Sequence, residues 1–144
     1  MALLNASVEV AIGRLVNGLA NQHERTLVLA NESIGVLKNG GFLYFYNYDF
    51  SDGILHAEVI DAHAVINPLV KILHQGFQRY LSAGFYEKTP DERYKELILI
   101  LDEDGEHPAH TWERRIFQSI RHDFERLEDW VRKNPSAFIG YPVL

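Results

Sequence analysis

Three observations predict an all-α, single-domain bundle of about six to seven helices. Apolar residues recur every three to four positions along nearly the whole chain, Gly and Pro fall between those runs, and 144 residues without repeat or flexible linker suit one domain. An apolar fraction of 47% with 24% charged residues belongs to a chain that buries its own core.

The elements follow in order. Val8, Ile12, Leu15, Val16 and Leu19 keep helical spacing, and Leu27, Ala30, Ile34 and Leu37 do so again until Asn39-Gly40-Gly41 stops the run. Phe42 to Phe50 has the aromatic content of a strand (Phe42, Tyr44, Phe45, Tyr46, Tyr48, Phe50) but is read as a short buried helix. After Ser51-Asp52-Gly53, Ile54, Leu55, Val59, Ala62 and Ile66 predict a helix ending near Asn67, because Pro68 drives its predecessor out of the α region.

Pro68 opens the next helix, with Leu69, Ile72, Leu73, Phe77 and Tyr80 on one face and Gly84 closing it. Thr89-Pro90-Asp91-Glu92 fits a capping box, so a helix begins at Pro90. Leu97 to Leu101 would suit a strand in isolation, but the cap upstream assigns it to that helix, which Gly105 ends. Trp112, Ile116, Ile120, Phe124, Leu127 and Val131 predict one long helix of about five turns, terminated by Asn134-Pro135.

Composition narrows the function. Twenty acids against fourteen bases give a formal charge of −6, which disfavours direct contact with nucleic acid and favours a basic protein partner. The absence of cysteine removes disulfides, thiolate metal sites and a cysteine nucleophile, and makes a reducing cytoplasm the expected location. Met1-Ala2-Leu3-Leu4-Asn5 lacks the basic and apolar regions of a secretion signal, and no stretch has the apolar length of a spanning helix, so no membrane association is expected.

Motifs for catalysis are missing. Neither GxGxxG nor GxxxxGK[ST] is present, no GxSxG occurs, and the seven histidines show no HExxH spacing, so they are expected as packing or surface residues with no metal and no cofactor. Asp102-Glu103-Asp104-Gly105-Glu106 lacks the ligand alternation of a calcium loop and is expected as a solvated acidic helix end. Acid there opposes the helix dipole by a few tenths of a kcal/mol, roughly, which makes the cluster a candidate partner-facing patch. Glu125, Glu128 and Asp129 add acid to the polar face of the last helix among Arg121, Arg126, Arg132 and Lys133.

Asn39-Gly40-Gly41-Phe42, with the aromatic run to Asn47, resembles the signature of the DMP-type DNA-mimic domain family of small bacterial proteins. The run from Phe124 to Phe138 resembles the end of the same domain, so the likeness spans about residues 27–138. It implies an all-helical fold, frequent dimerisation and, in the family's namesake, an acidic surface that occupies the DNA-binding face of a transcription factor. The motif itself reads as structural: Gly40 and Gly41 permit a turn, Phe42 and Phe45 pack, and Asn47 hydrogen-bonds a helix end.

Fourteen basic side chains break up the acidic field, so the expectation is the broader one of protein binding. The sequence reading is a non-enzymatic acidic module that sequesters a basic partner, such as a DNA-binding protein or a toxin. Two alternatives stand beside it. One is a small-molecule-binding or catalytic domain using Tyr44, Tyr46, Tyr48, His56 and His63, and the other is a structural homodimer.

Overall fold

The computed structural model describes residues 2–47 and 53–142. The helix-forming pattern is realised as seven α-helices, with two short 3-10 turns and no strand among the described residues. They are α1 (Ala2–Val16), α2 (Gln22–Asn47), α3 (Gly53–Ala64), α4 (Leu69–Gln78), α5 (Pro90–Ile100), α6 (Ala109–Ser119) and α7 (Asp123–Arg132). Tyr48, Phe50, Ser51 and Asp52 lie outside the described residues.

In α1 the buried stripe is Leu4, Ser7, Val8 and Ala11, the spacing of one helical face. Ile12 and Val16, expected in the core, lie off that stripe and face solvent, as does Leu19 just beyond the helix. The mixed run satisfied two faces of a helix, and packing used one.

A second capping box starts α2. Asn21 Oδ1 accepts from the Glu24 amide at 2.8 Å, and Glu24 Oε1 accepts from the Asn21 amide at 2.9 Å. Glu24 is buried, and Arg14 at 2.5 Å and the Tyr141 hydroxyl also donate to it. Burial raises its pKa, but those hydrogen bonds outweigh burial and leave it lowered.

α2 bends sharply at Gly40-Gly41, where the sequence predicts a break. Gly41 has φ +60°, a left-handed conformation, and a Cβ there would sit 1.6 Å from Glu113 Oε1 of α6. A Cβ on Gly40 would meet that of Tyr44 at 2.4 Å. The bend therefore admits a carboxylate from another helix against the freshly exposed amides of the helix that resumes at Phe42.

The interior forms two clusters. One is aromatic, with Phe42, Phe45, Tyr46, Phe77 and Phe85 joined by Val59, Val70, Leu73, Leu97, Ile116 and Ile120. The other is mainly aliphatic, with Leu4, Val8, Leu27, Ala30, Ile34, Leu127 and Val131. Each fully buried large side chain contributes roughly 1.5–3 kcal/mol.

The predicted single helix over 112–131 is two helices. Ile116 and Ile120 enter the aromatic cluster while Leu127 and Val131 enter the aliphatic one, and a turn at 120–122 re-aims the chain between them. No Gly or Pro marks that turn; Asp123, at its exit, is buried and tied to other helices.

Other boundaries move slightly. α4 ends at Gln78, so Gly84 does not close it; Gly84, with φ +76°, instead precedes a 3-10 turn at Phe85–Glu87. On α4, Leu73 and Phe77 are buried but Leu69 and Ile72 are exposed, as is Tyr80 just beyond the helix. α5 starts at Pro90 behind the expected Thr89–Glu92 capping box, and Gly105 lies in the following turn rather than at the helix end.

Candidate functional site

The acidic residues singled out by the sequence fall into two groups at opposite ends of α6. Asp102, Glu103, Asp104 and Glu106 occupy the loop entering it, and Glu125, Glu128 and Asp129 lie on α7, which leaves its far end. Eleven residues of helix separate the ends by about 16 Å.

The loop carboxylates are all exposed. Asp102 caps its own turn, accepting from the Gly105 amide at 3.0 Å, and lies 3.7 Å from His110 Nε2. Glu103, Asp104 and Glu106 have no ion pair among the described residues. On α7, by contrast, Arg132 holds Glu128 at 2.5 Å and Asp129 at 3.0 Å, and Glu125 lies 3.2 Å from His122.

The loop continues from an unusual helix face. In α5, Arg93, Leu97 and Ile100 point inward, while Tyr94, Ile98 and Leu99 point outward and are 48%, 40% and 77% exposed. At 100° per residue these three share the outer side with Asp91 and Lys95, and the acidic loop begins two residues beyond the helix end, at Asp102.

In the segment Asn39–Asn47, Phe42 and Phe45 are fully buried. Asn39 is exposed and lines a shallow groove of about 270 Å³ with Asn5, Asn31, Glu32 and Tyr44. The side-chain oxygen of Asn47 is buried without a hydrogen-bond partner among the described residues, so the expected helix-end bond from that atom is not made there.

The role of the two glycines depends on Glu113, which no sequence motif singles out. Its carboxylate accepts from the Phe42 amide at 2.9 and 3.2 Å. Burial pushes its pKa up to about 7, with the Phe42 and Leu43 amides pulling the other way.

The Tyr/His-rich middle is mostly core. Tyr46, His56 and His63 are fully buried. The Tyr46 hydroxyl meets His74 Nδ1 at 2.8 Å, and His56 Nδ1 meets the Tyr86 hydroxyl at 3.0 Å. Burial lowers His56 to about 3 and His74 to about 4, so both are neutral near pH 7, and it raises Tyr46 and Tyr86. Tyr44 faces the groove beside Asn39 instead, and Tyr48 lies outside the described residues.

Ser33, His63 and Asp123 form a hydrogen-bonded chain that no sequence motif announced. Ser33 Oγ lies 2.7 Å from His63 Nδ1, and His63 Nε2 lies 2.6 Å from Asp123 Oδ2. The residue types are those of a nucleophile, base and orienting acid, but all three are fully enclosed, whereas acyl transfer requires a substrate beside the hydroxyl. Asn67 donates to both oxygens of Asp123, at 3.0 and 3.2 Å, and to Ser119, while Arg126 also donates to Asp123. Burial raises the Asp123 pKa, yet the bonds from His63, Asn67 and Arg126 prevail and lower it. This set joins α2, α3, α6 and α7.

A larger groove of about 370 Å³ runs between α2 and α3, bridged by Arg25 and Glu58 at 2.6 Å, with Gln22, Asp61 and Val65 along it. Among the described residues no group of three His, Asp or Glu side chains is placed to hold a metal ion, and no helix is long and apolar enough to cross a membrane. Comparison with protein families, with curated proteins and with solved structures gave no match to this chain.

Proposed function

We propose that the protein is a non-enzymatic acidic binding module that sequesters a basic protein, such as a DNA-binding protein or a toxin. The observation that carries this reading is the loop 102–106, whose four carboxylates stand in solvent while those of α7 are held by Arg132 or lie beside His122. Exposed acid of this kind steers a basic partner and sets the salt dependence of its binding. The DMP-type resemblance of residues 27–138 points the same way, since its namesake binds through an acidic surface.

Capture from host lysate, with identification by mass spectrometry, tests the reading. The native chain should retain a basic protein at low salt and release it at high salt. A chain carrying Asp102→Asn, Glu103→Gln, Asp104→Asn and Glu106→Gln should retain at least about tenfold less. Equal capture by both chains, or no basic protein released by salt, overturns the proposal.

Exposed Ile12, Val16 and Leu19 favour a second reading as a homodimer subunit. Its mark in the same experiment is capture of the chain's own copies, unchanged by salt and by the four loop substitutions.

A further inference from the structure

We infer that the outer face of α5 and the loop 102–106 form one docking surface, and that its occupant is an amphipathic basic helix of the partner protein. The inference rests on the proposed binding role and adds to it the place, the apolar anchor and the shape of the ligand.

Leu97-Ile98-Leu99-Ile100-Leu101 is an unbroken apolar run that closes α5. Five consecutive apolar residues on a helix surround its axis, so no single core can take them all. The bundle takes Leu97 and Ile100, partly covers Leu101, and leaves Ile98 and Leu99 in water. Tyr94 lies one turn before Ile98, and the three make an apolar strip along a helix of 11 residues, about 16 Å long.

Charge selects the occupant. The strip is flanked by Asp91 and Glu92 at its start and by Asp102, Glu103, Asp104 and Glu106 at its end, against one exposed basic residue on that face, Lys95. A second copy of this chain is the wrong occupant. Two-fold pairing through α5 would set acidic ends against acidic ends, whether the helices ran parallel or antiparallel. A partner helix with leucine-like residues on one side and Lys or Arg on its flanks satisfies both features: its apolar side covers Tyr94, Ile98 and Leu99, and its basic side reaches the carboxylates.

Two synthetic peptides of leucine and lysine test this on the full chain. One places the leucines on a single helical face; the other has the same composition scrambled, so that charge is equal but the face is lost. Amide chemical shifts of isotope-labelled protein report where each binds. The amphipathic peptide should shift amides along 94–106 and bind about tenfold more tightly than the scrambled one, a difference that Ile98→Gln with Leu99→Gln should abolish. Glutamine is a good helix former and both positions face solvent, so the variant keeps its fold, which its thermal unfolding midpoint verifies.

Shifts confined to 102–106, equal for both peptides and indifferent to the two glutamines, overturn the inference and leave the acidic-module reading standing. Shifts centred outside 94–106, or none, overturn the inference as well. Failure of the binding role itself is seen separately, as lysate capture that ignores neutralisation of the loop.

Discussion

In α7, Asp123 is buried among His63, Asn67 and Arg126, and Arg132 holds Glu128 and Asp129; in the loop 102–106, four carboxylates stand in solvent and, among the described residues, only Asp102 approaches a base, His110 at 3.7 Å. The two stretches look alike in sequence, each carrying four acids within a few residues. The difference is one of partners. A carboxylate that folding has removed from water must be met by donors, and Asp123 is met by three side chains, His63 of α3, Asn67 just beyond it and Arg126 of α7. A carboxylate left in water costs the fold little and remains available to a ligand. The contrast separates acid that builds the bundle from acid that binds through it.

The largest effect expected of that contrast is at Asp123. Replacing it with alanine leaves buried His63 Nε2 without its partner, takes from the Asn67 amide two of its acceptors, and removes the hydrogen bond that ties α7 to α3. Urea unfolding of Asp123→Ala should show a loss of about 3–5 kcal/mol, the range for breaking a buried charged pair from one side. A loss below about 1 kcal/mol would mean that Asp123 is no more a part of the fold than the loop acids are.

Glu113 stands between the two extremes, being half-buried and met only by backbone amides. A carboxyl whose folded-state pKa, about 7, exceeds its unfolded value, about 4.5, keeps its proton longer in the fold. Its contribution therefore favours folding at low pH and is lost as pH rises from 4.5 through 7. Glu113→Gln removes this titration, so the variant's stability relative to the native chain should rise by about 1–2 kcal/mol between pH 5 and pH 8, after discounting for partial solvation. Buried neutral His56 and His74 have the opposite sign, weakening the fold as pH falls, but they are common to both chains and cancel in the difference. A difference that does not change with pH would show that the two amides fully offset the cost of burial and leave the carboxyl unshifted, still short of Asp123, whose donors pull its pKa below the usual carboxylate range.

What the sequence made legible was local. The Thr89–Glu92 box and the break at Asn39-Gly40-Gly41 needed only neighbouring residues, and both are found where the spacing predicts them. The exposed pair Ile98 and Leu99 was legible too, since five apolar residues in a row cannot all face one core, although the run was read only as part of the helix that starts at Pro90. Glu113, Asp123, Ser33 and Asn67 were not legible. Each acts through a partner at least 30 residues away, and nothing nearby marks Glu113 as more than a surface acid or distinguishes Asp123 from Asp129. The turn at 120–122 was hidden for the same reason: periodic apolar residues continue through it, and only their assignment to two different clusters requires it.

The smallest effect is the one that bears most directly on function. Neutralising all four loop carboxylates removes no buried contact and leaves every ion pair of α7 in place, and it relieves acid that follows the C-terminus of α5, where the helix dipole is unfavourable to negative charge. The unfolding free energy of this variant should lie within about 0.5 kcal/mol of the native value, as is usual for exposed substitutions. Lost partner capture together with unchanged stability would then report on binding alone. A fall of more than about 1 kcal/mol would instead show that the loop acids hold the α5–α6 connection, and the distinction from α7 would collapse.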